Sequence, residues 1–354
     1  MNLENLSAAA IQLLKDLIEI PSFSSEEQHT AKRIEAWFNV NQIPFNRNQN
    51  NIWAVNKYFD ASKPTLLLNS HHDTVKPNNG YTKDPFKAQV ESGKLYGLGS
   101  NDAGGSLVSL IATFTHFHTF KNLNYNLVIV ASAEEESSGK AGLNSMLSII
   151  PKIDVAIVGE PTLMQLAVSE KGLVVFDAVV KGTPGHAAHP NPDNAIYNSI
   201  QVLEWFKDFE FDKISDFLGP VIMTVTQINA GKQHNAIPAG VELVVDVRVN
   251  DQYSNSEIAE ILQKHAPCDS MIPRSLRLNS SSIPLAHPLV QAGIEMGRKT
   301  YGSPTLSDQS VLSCPSLKLG PGDSTRSHTA DEFIFIDEIK EGISLYIQLL
   351  TKIL

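Results

Sequence analysis

The sequence predicts an α/β protein whose main domain is interrupted by a smaller α+β insertion. Three observations carry that expectation. Over the first part of the chain, short apolar runs alternate with segments of helical hydrophobic spacing, the rhythm of βαβ units. From Gly172 to Ser281 the runs lengthen and only two helical segments interrupt them. From Ala286 onward a helix, a strand and a last helix return. The 354 residues fit about two domains, since domains cluster near ~100–200 residues. The expected bounds are 1–171 with 282–354 for the main domain and 172–281 for the insertion.

The elements justify themselves in order. Leu6–Glu19 has apolar residues at helical spacing. Ser25–Asn41 reads as a second helix, opened by Ser24 and Ser25 with Glu26 and Glu27 in the first turn. Ile52–Tyr58, Thr65–Ser70, Leu127–Ala131 and Val155–Gly159 are near-continuous apolar runs, as strands covered on both faces are. Gly105–Thr119 reads as a buried helix between them. In the insertion, Gly172–Lys181, Val221–Ile228 and Glu242–Val249 are expected strands, and Asn194–Phe209 and Ser254–His265 expected helices. Leu289–Tyr301, Ser316–Leu319 and Ile336–Leu354 complete the main domain as helix, strand and helix.

Composition narrows the function. Hydrophobic residues at 42% and charged residues at 19% fit a globular protein with a sizeable core. The formal charge is -10 and no basic run stands out, which argues against a nucleic-acid partner. Cys268 and Cys314 are the only cysteines, too few for a disulfide framework or a thiolate zinc cage. A metal site must therefore use nitrogen and oxygen ligands. The acidic, amphipathic N-terminus does not read as a signal peptide, and no apolar run reaches the ~18–20 residues of a membrane span. A cytoplasmic protein without a membrane partner is the expectation.

Five strand or loop ends carry candidate chemistry. In Leu66–Val75 an apolar strand runs into His71-x-Asp73. Residues two apart in an extended segment share a face, so Asp73 could hold the second ring nitrogen of a ligating His71 while His72 points elsewhere. A polar strand end is the plainer alternative. In Tyr96–Gly105 a glycine-rich loop delivers Asp102 to a helix start, where it could ligate a metal or cap the helix. Glu134-Glu135-Glu136 directly follows a buried run. Adjacent carboxylates are costly to desolvate without a cation, although a surface turn would also accommodate them. Val155–Val158 ends in Gly159-Glu160. Leu319–Gly322 leads to a loop carrying His328. Together these ends supply His71, Asp102, Glu136, Glu160 and His328. One Asp bridging two ions, with one His and one carboxylate for each, would make a di-zinc site, with Glu135 left beside it as a proton shuttle.

This ordered set resembles the family of dimetal deacylases and exopeptidases that contains acetylornithine deacetylase, succinyl-diaminopimelate desuccinylase, aminoacylase-1 and the glutamate carboxypeptidases. The resemblance spans almost the whole chain. It rests on His71–Val75, the Gly-x-Gly-x-x-Asp ending at Asp102, Glu135-Glu136, Gly159–Thr162 and the Gly-Pro-Gly…His ending at His328. It implies a mixed-sheet, zinc-peptidase-like catalytic domain binding two divalent ions, zinc or cobalt. Their ligands would be His71, Asp102, Glu136, Glu160 and His328, with Asp73 behind them and Glu135 as general base. It implies that the insertion is a dimerisation or lid domain in a homodimer. His186, in Gly182-Thr183-Pro184-Gly185-His186, is then the histidine that crosses the interface to steady the oxyanion of the neighbouring site. Asn235 and Arg248 resemble substrate-binding positions, and His189 has no counterpart and reads as surface.

The substrate class implied is an N-acyl amino acid, with acetylornithine deacetylase the nearest resemblance. A free α-carboxylate wants a guanidinium, for which Arg248 is the candidate, a strand-surface arginine being its alternative. Arg326 stands two residues before His328, where an acetyl group has no charge for it to meet and a succinyl group does. Arg326 could equally pair with Asp323 or Asp331. A desuccinylase, an aminoacylase or dipeptidase, and an inactive amino-acid-binding relative remain the alternatives.

Overall fold

Four segments, Asn126–Ser132, Thr65–His71, Val155–Val158 and Ser316–Lys318, pair side by side in parallel in the computed structural model, which describes residues 2–354. Asn51–Val55 and Asn46–Asn48 continue the sheet antiparallel on one side, and Leu166–Glu170 does so on the other. The parallel strands are buried throughout because both faces are covered. Leu66, Leu68, Leu127, Ile129, Val155 and Ile157 join one core with the helices Leu3–Ile18, Gln28–Val40, Gly105–Phe117 and Ile336–Ile353. The alternate residues Leu67, Val128, Val130 and Ala156 pack on the other face against Leu143, Met146 and Ile150. Each such side chain contributes about 1.5–3 kcal/mol on burial.

Two helices differ from expectation. The second begins at Gln28, not Ser25, and makes no side-chain capping bond. The Ser24 hydroxyl donates to Asp73 and the Ser25 hydroxyl to Glu134, so long-range acceptors outcompete the helix end. The helix expected over Leu289–Tyr301 is Pro288–Glu295. Gly297, at φ +77, turns the chain out of it, and Thr300–Ser303 is a strand.

The chain divides into two compact units, one formed by residues up to Val168, Ser282–Tyr301 and Ser307–Leu354, the other by Ser169–Ser281 and Gly302–Leu306. The second unit thus begins three residues before the expected 172 and gains a short return segment, tied by Lys171 N–H donating to Ser303 O at 3.2 Å. It is a four-stranded antiparallel sheet, in the order Ile222–Ala230, Gly240–Val249, Gly172–Lys181, Ser270–Pro273. The helices Ala195–Asp208 and Asn255–His265 cover one face, burying Val174, Phe176, Leu243 and Val245 against Val202, Phe206, Ile258 and Leu262. Strand residues of the other parity, such as Asp177 and Glu242, are exposed, which is the alternation of a one-sided sheet.

Candidate active site

The chemistry-bearing residues gather at the C-terminal ends of the parallel strands, the edge at which open α/β sheets present loops to ligands. His71 is the last residue of its strand, and the acidic triplet Glu134–Glu136 follows Ser132. Glu160 lies two residues beyond Val158, and the chain leaving Lys318 reaches His328. Asp102 comes from a loop pinned by Gly99, whose φ of +74 and closeness to Thr74, 2.6 Å from where a Cβ would stand, suit glycine alone. Asp102 does not cap the following helix: its backbone is extended, at φ -115 and ψ 98, and Gly104 occupies the cap position.

Asp102 lies between two groups of side chains. Its Oδ1 is 3.4 Å from His71 Nε2, which is also 3.7 Å from Glu160 Oε1. Its Oδ2 is 3.6 Å from His328 Nε2, which is 2.9 Å from Glu136 Oε2. His71, Asp102 and Glu136 each offer a ligand atom within 4.8 Å of the others. The structure therefore brings all five candidate ligands together and adds a pairing: His71 with Glu160 on one side of Asp102, His328 with Glu136 on the other.

The surroundings orient these groups. His71 Nδ1–H donates to the Asp73 carbonyl at 3.0 Å, which turns Nε2 toward Asp102. The Asp73 carboxylate accepts Glu135 N–H at 3.0 Å, Glu136 N–H at 3.1 Å and the Ser24 hydroxyl at 2.6 Å. Glu27, fully buried, accepts Glu134 N–H at 3.1 Å. All three amides of the acidic triplet thus point at buried carboxylates. His72 turns the other way, its ring bridging the Thr30 hydroxyl and the Asn50 carbonyl, each at 2.9 Å.

Electrostatics favour a cation here. Burial, aided by the charges of Asp102 and Glu136, pushes Glu160 up to about 8. Burial likewise raises Glu135 well above the usual carboxylate range, with Glu160, Asp308 and Glu136 adding to it. Burial works to lower His71, yet Asp102 and Asp73 outweigh it and hold the imidazole well above its ordinary value. The hydrogen bond to Glu136 lifts His328 to about 9. Glu136 Oε1 is buried without a hydrogen-bond partner. Four clustered carboxylates, two imidazoles and an orphaned oxygen are a donor set that fits divalent ions of the zinc and cobalt type.

Three of the remaining candidates belong to the second unit and one to the first. In the second unit, His186 is exposed on the short strand Gly185–His186, paired with Ala236–Ile237. Asn235 adjoins it, its carbonyl accepting Ala187 N–H at 3.0 Å. The His189 ring is 5.8 Å from that of His186 and is exposed, as expected of a surface residue. Arg248 forms a two-pronged contact with Asp246 on its own strand, at 2.8 and 3.1 Å. In the first unit, Arg326 pairs with neither Asp323 nor Asp331. It forks onto Glu338, at 2.7 and 3.0 Å, and lies over the rings of Phe333 and Phe335. Asp323 is taken by Thr325, and Asp331 by Thr82 and Lys83.

Sequence reasoning passed over Ser24, Glu27, Asn101 and Glu332, all of which hold ligand-bearing loops. The one signal available was an acid immediately before an aromatic strand at Glu332-Phe333.

Residues 67–352 match Peptidase family M20/M25/M40. The chain is 29% identical to an acetylornithine deacetylase of Proteus mirabilis, across 94% of each protein. It is 27% identical to a succinyl-diaminopimelate desuccinylase of Wolbachia pipientis, across 95% of this chain and 91% of that one. Among solved structures, an M20 family metallo-carboxypeptidase of Sulfolobus solfataricus superposes with a TM-score of 0.74 at 18% identity, covering 97% of this chain and 98% of the other. A dinuclear metal-binding M20 peptidase of Bacillus subtilis does so with 0.74 at 15%, covering 98% of each. With a family match over most of its length and its acids and imidazoles at the strand ends, the chain belongs to peptidase family M20/M25/M40, a family of metal-dependent hydrolases.

Proposed function

We propose that the protein removes an acyl group from the nitrogen of a small amino acid, and that N-acetylornithine, cleaved to ornithine and acetate as in arginine biosynthesis, is its substrate. The observation that carries this reading is the two-sided placement of Asp102, with His71 and Glu160 at one oxygen and His328 and Glu136 at the other. The five residues would hold two divalent ions, zinc or cobalt. Such ions supply Lewis acidity, lowering the pKa of a water toward neutrality and polarising an amide carbonyl.

The protein's own residues supply the rest. Glu135, its amide fixed by Asp73 and its carboxylate already basic through burial, accepts the proton of the attacking water and passes it to the leaving amine. Asp73 keeps the His71 ring in the tautomer that presents Nε2. His186 accepts Ala188 N–H at Nδ1, at 3.1 Å, so its exposed Nε2 carries the hydrogen. That atom suits an oxyanion donor delivered to another subunit's site. A homodimer is supported by the second unit itself, where Ile196, Tyr197 and Ile200 on one helix and Ile222 and Ile228 on an edge strand are exposed.

Asn235 and Arg248 are proposed to hold the substrate carboxylate, Arg248 by exchanging Asp246 for it. The choice of acetyl over succinyl rests on Arg326, whose guanidinium is already matched by Glu338. Among the described residues no helix is long and apolar enough to cross a membrane. The test is direct assay of the purified, metal-loaded protein on N-acetylornithine, N-succinylornithine, N-succinyl-diaminopimelate and simple dipeptides. Preferential release of acetate is expected. Preference for a succinyl substrate or a dipeptide would replace the acetyl assignment, and no turnover with two ions bound would make the chain a binding protein.

A further inference from the structure

Glu332 stands four residues after His328 and is 2% exposed. It immediately precedes the strand Phe333–Phe335, which pairs with Lys94–Tyr96 in a register that sets Phe333 against Tyr96. The next step along that register places Glu332 against Gly97, and Gly97 N–H donates to the Glu332 carbonyl at 3.0 Å. The Glu332 side chain then reaches along the loop that Gly97 opens. Its Oε2 accepts Gly99 N–H at 3.0 Å, and its Oε1 accepts Asn101 N–H at 2.8 Å and Asp102 N–H at 2.9 Å. One carboxylate thus takes three of the amide hydrogens of residues 99–102, including that of the bridging aspartate itself. A carboxylate buried so deeply is costly unless its hydrogen bonds are made, and here the donors are backbone groups with no rotamer freedom.

Asn101 closes the arrangement from the other side. Its Nδ2 donates to the Asp323 carbonyl at 3.0 Å, and its Oδ1 accepts Asp323 N–H at 3.0 Å. The loop carrying Asp102 and the segment carrying His328 are therefore laced together at both ends of that segment. Asp73 does the same for the acidic triplet, but Glu332 acts on the residue that both ions would share.

We propose that Glu332 is a positioning residue: it locks the Asp102 loop onto the His328 segment and so fixes the spacing of the ligands about the shared carboxylate. This rests on the two-ion reading above. Loss of the lock lets Asp102 drift relative to His328, and because Asp102 serves both ions, both are held less tightly.

Metal-stripped, full-length protein titrated with Zn²⁺ or Co²⁺ provides the test, with wild type, Glu332→Gln and Glu332→Ala compared. The amide in Glu332→Gln keeps the shape, but when its oxygen faces Asn101 and Asp102 its NH₂ group meets Gly99 N–H, donor against donor. Affinity for the ions is expected to fall about tenfold in Glu332→Gln and up to about a hundredfold in Glu332→Ala, the range for groups that orient metal ligands. At saturating metal, KM should stay near wild type while kcat falls, and metal-free Glu332→Gln should still fold, with a Tm lowered modestly by the buried donor pair. Unchanged metal affinity in Glu332→Gln and Glu332→Ala overturns the inference. A lower metal-free Tm with unchanged affinity also overturns it, because Glu332 would then only brace a turn. Should Glu332→Ala fail to fold, Glu332→Gln decides alone. Wild-type protein that takes up fewer than two ions removes the two-ion reading instead, whatever the variants do.

Discussion

The loops that carry the candidate ligands in the first unit and the His186 strand pair of the second are built on opposite principles. In the first, the backbone amides around the candidate ligands are tied down: Asp73, Glu27 and Glu332 between them receive the amides of Gly99, Asn101, Asp102 and Glu134–Glu136. In the second, His186 sits exposed on a two-residue strand paired with Ala236–Ile237, and Asn235 is exposed in the turn just before that partner strand. The lesson is that the candidate ligands of the first unit are braced by their own chain, whereas His186, held through Nδ1, leaves its Nε2 exposed. A site complete in one chain is preorganised; an exposed imidazole is what the role proposed for His186, in a neighbouring subunit, would require.

The comparison can be broken most severely by taking the ions away. Chelation, or His71→Ala, should reduce turnover to background. Chelation should also lower the Tm, since ligand at a thousandfold over Kd adds about 4 kcal/mol of apparent stability. Metal analysis and calorimetry on the same sample check this, and full activity after verified metal removal would end the two-ion account. Glu135→Gln should leave metal content and fold alone yet cost about 10²–10⁴ in kcat, because an amide cannot accept the water's proton.

His186→Ala should cost about 10²–10³ in kcat, the range for an oxyanion donor, without moving metal affinity or Tm. Mixing inactive His186→Ala and Glu135→Gln subunits sharpens the contrast. If His186 serves the neighbouring subunit, activity returns in the hybrids, in about half of their sites by symmetry. Exchange without recovery would confine His186 to its own chain or remove it from the reaction. The smallest effect is expected from Arg326→Ala. It should lose roughly 1–3 kcal/mol of stability with the Glu338 pair, and leave the acetyl-to-succinyl turnover ratio where it was. A changed ratio would return Arg326 to the acyl group.

The fold and the clustering of the candidate ligands were legible where their signals are local. Apolar runs such as Leu66–Leu68 and Val155–Val158 announce strands covered on both faces, and each ends in an acid or an imidazole within two residues. What could not be read was partnership at a distance. Ser24 and Ser25 look like helix caps because the capping rule is local, but their hydroxyls are claimed by Asp73 and Glu134. Arg326 looks paired with the nearest acids in sequence, while Glu338, twelve residues on, offers both oxygens from the start of the last helix. Glu332 looks like a polar residue before a strand, and its amide donors are some 230 positions away. The boundary of the second unit slipped for the same reason, since 302–306 joins it only through space.

The strand order of the main sheet has a consequence for how the molecule is made. Ser316–Lys318 lies beside Val155–Val158, and Phe333–Phe335 closes on Lys94–Tyr96, so segments from the last tenth or so of the chain complete structures begun in its first third. The second unit, by contrast, is almost one continuous stretch. On the ribosome it can fold early, as domains generally do, while Asp102 waits for Glu332 and His328 to emerge. During that wait the histidines and acids of the half-made site are apart, and a nascent chain has no tight hold on a metal ion. Arrested chains of increasing length would display this as protease protection of residues 169–281 well ahead of zinc-dependent protection of the rest. Any capacity to hydrolyse an amide would then appear only once His328 and Glu332 had been made and had closed on the Asp102 loop.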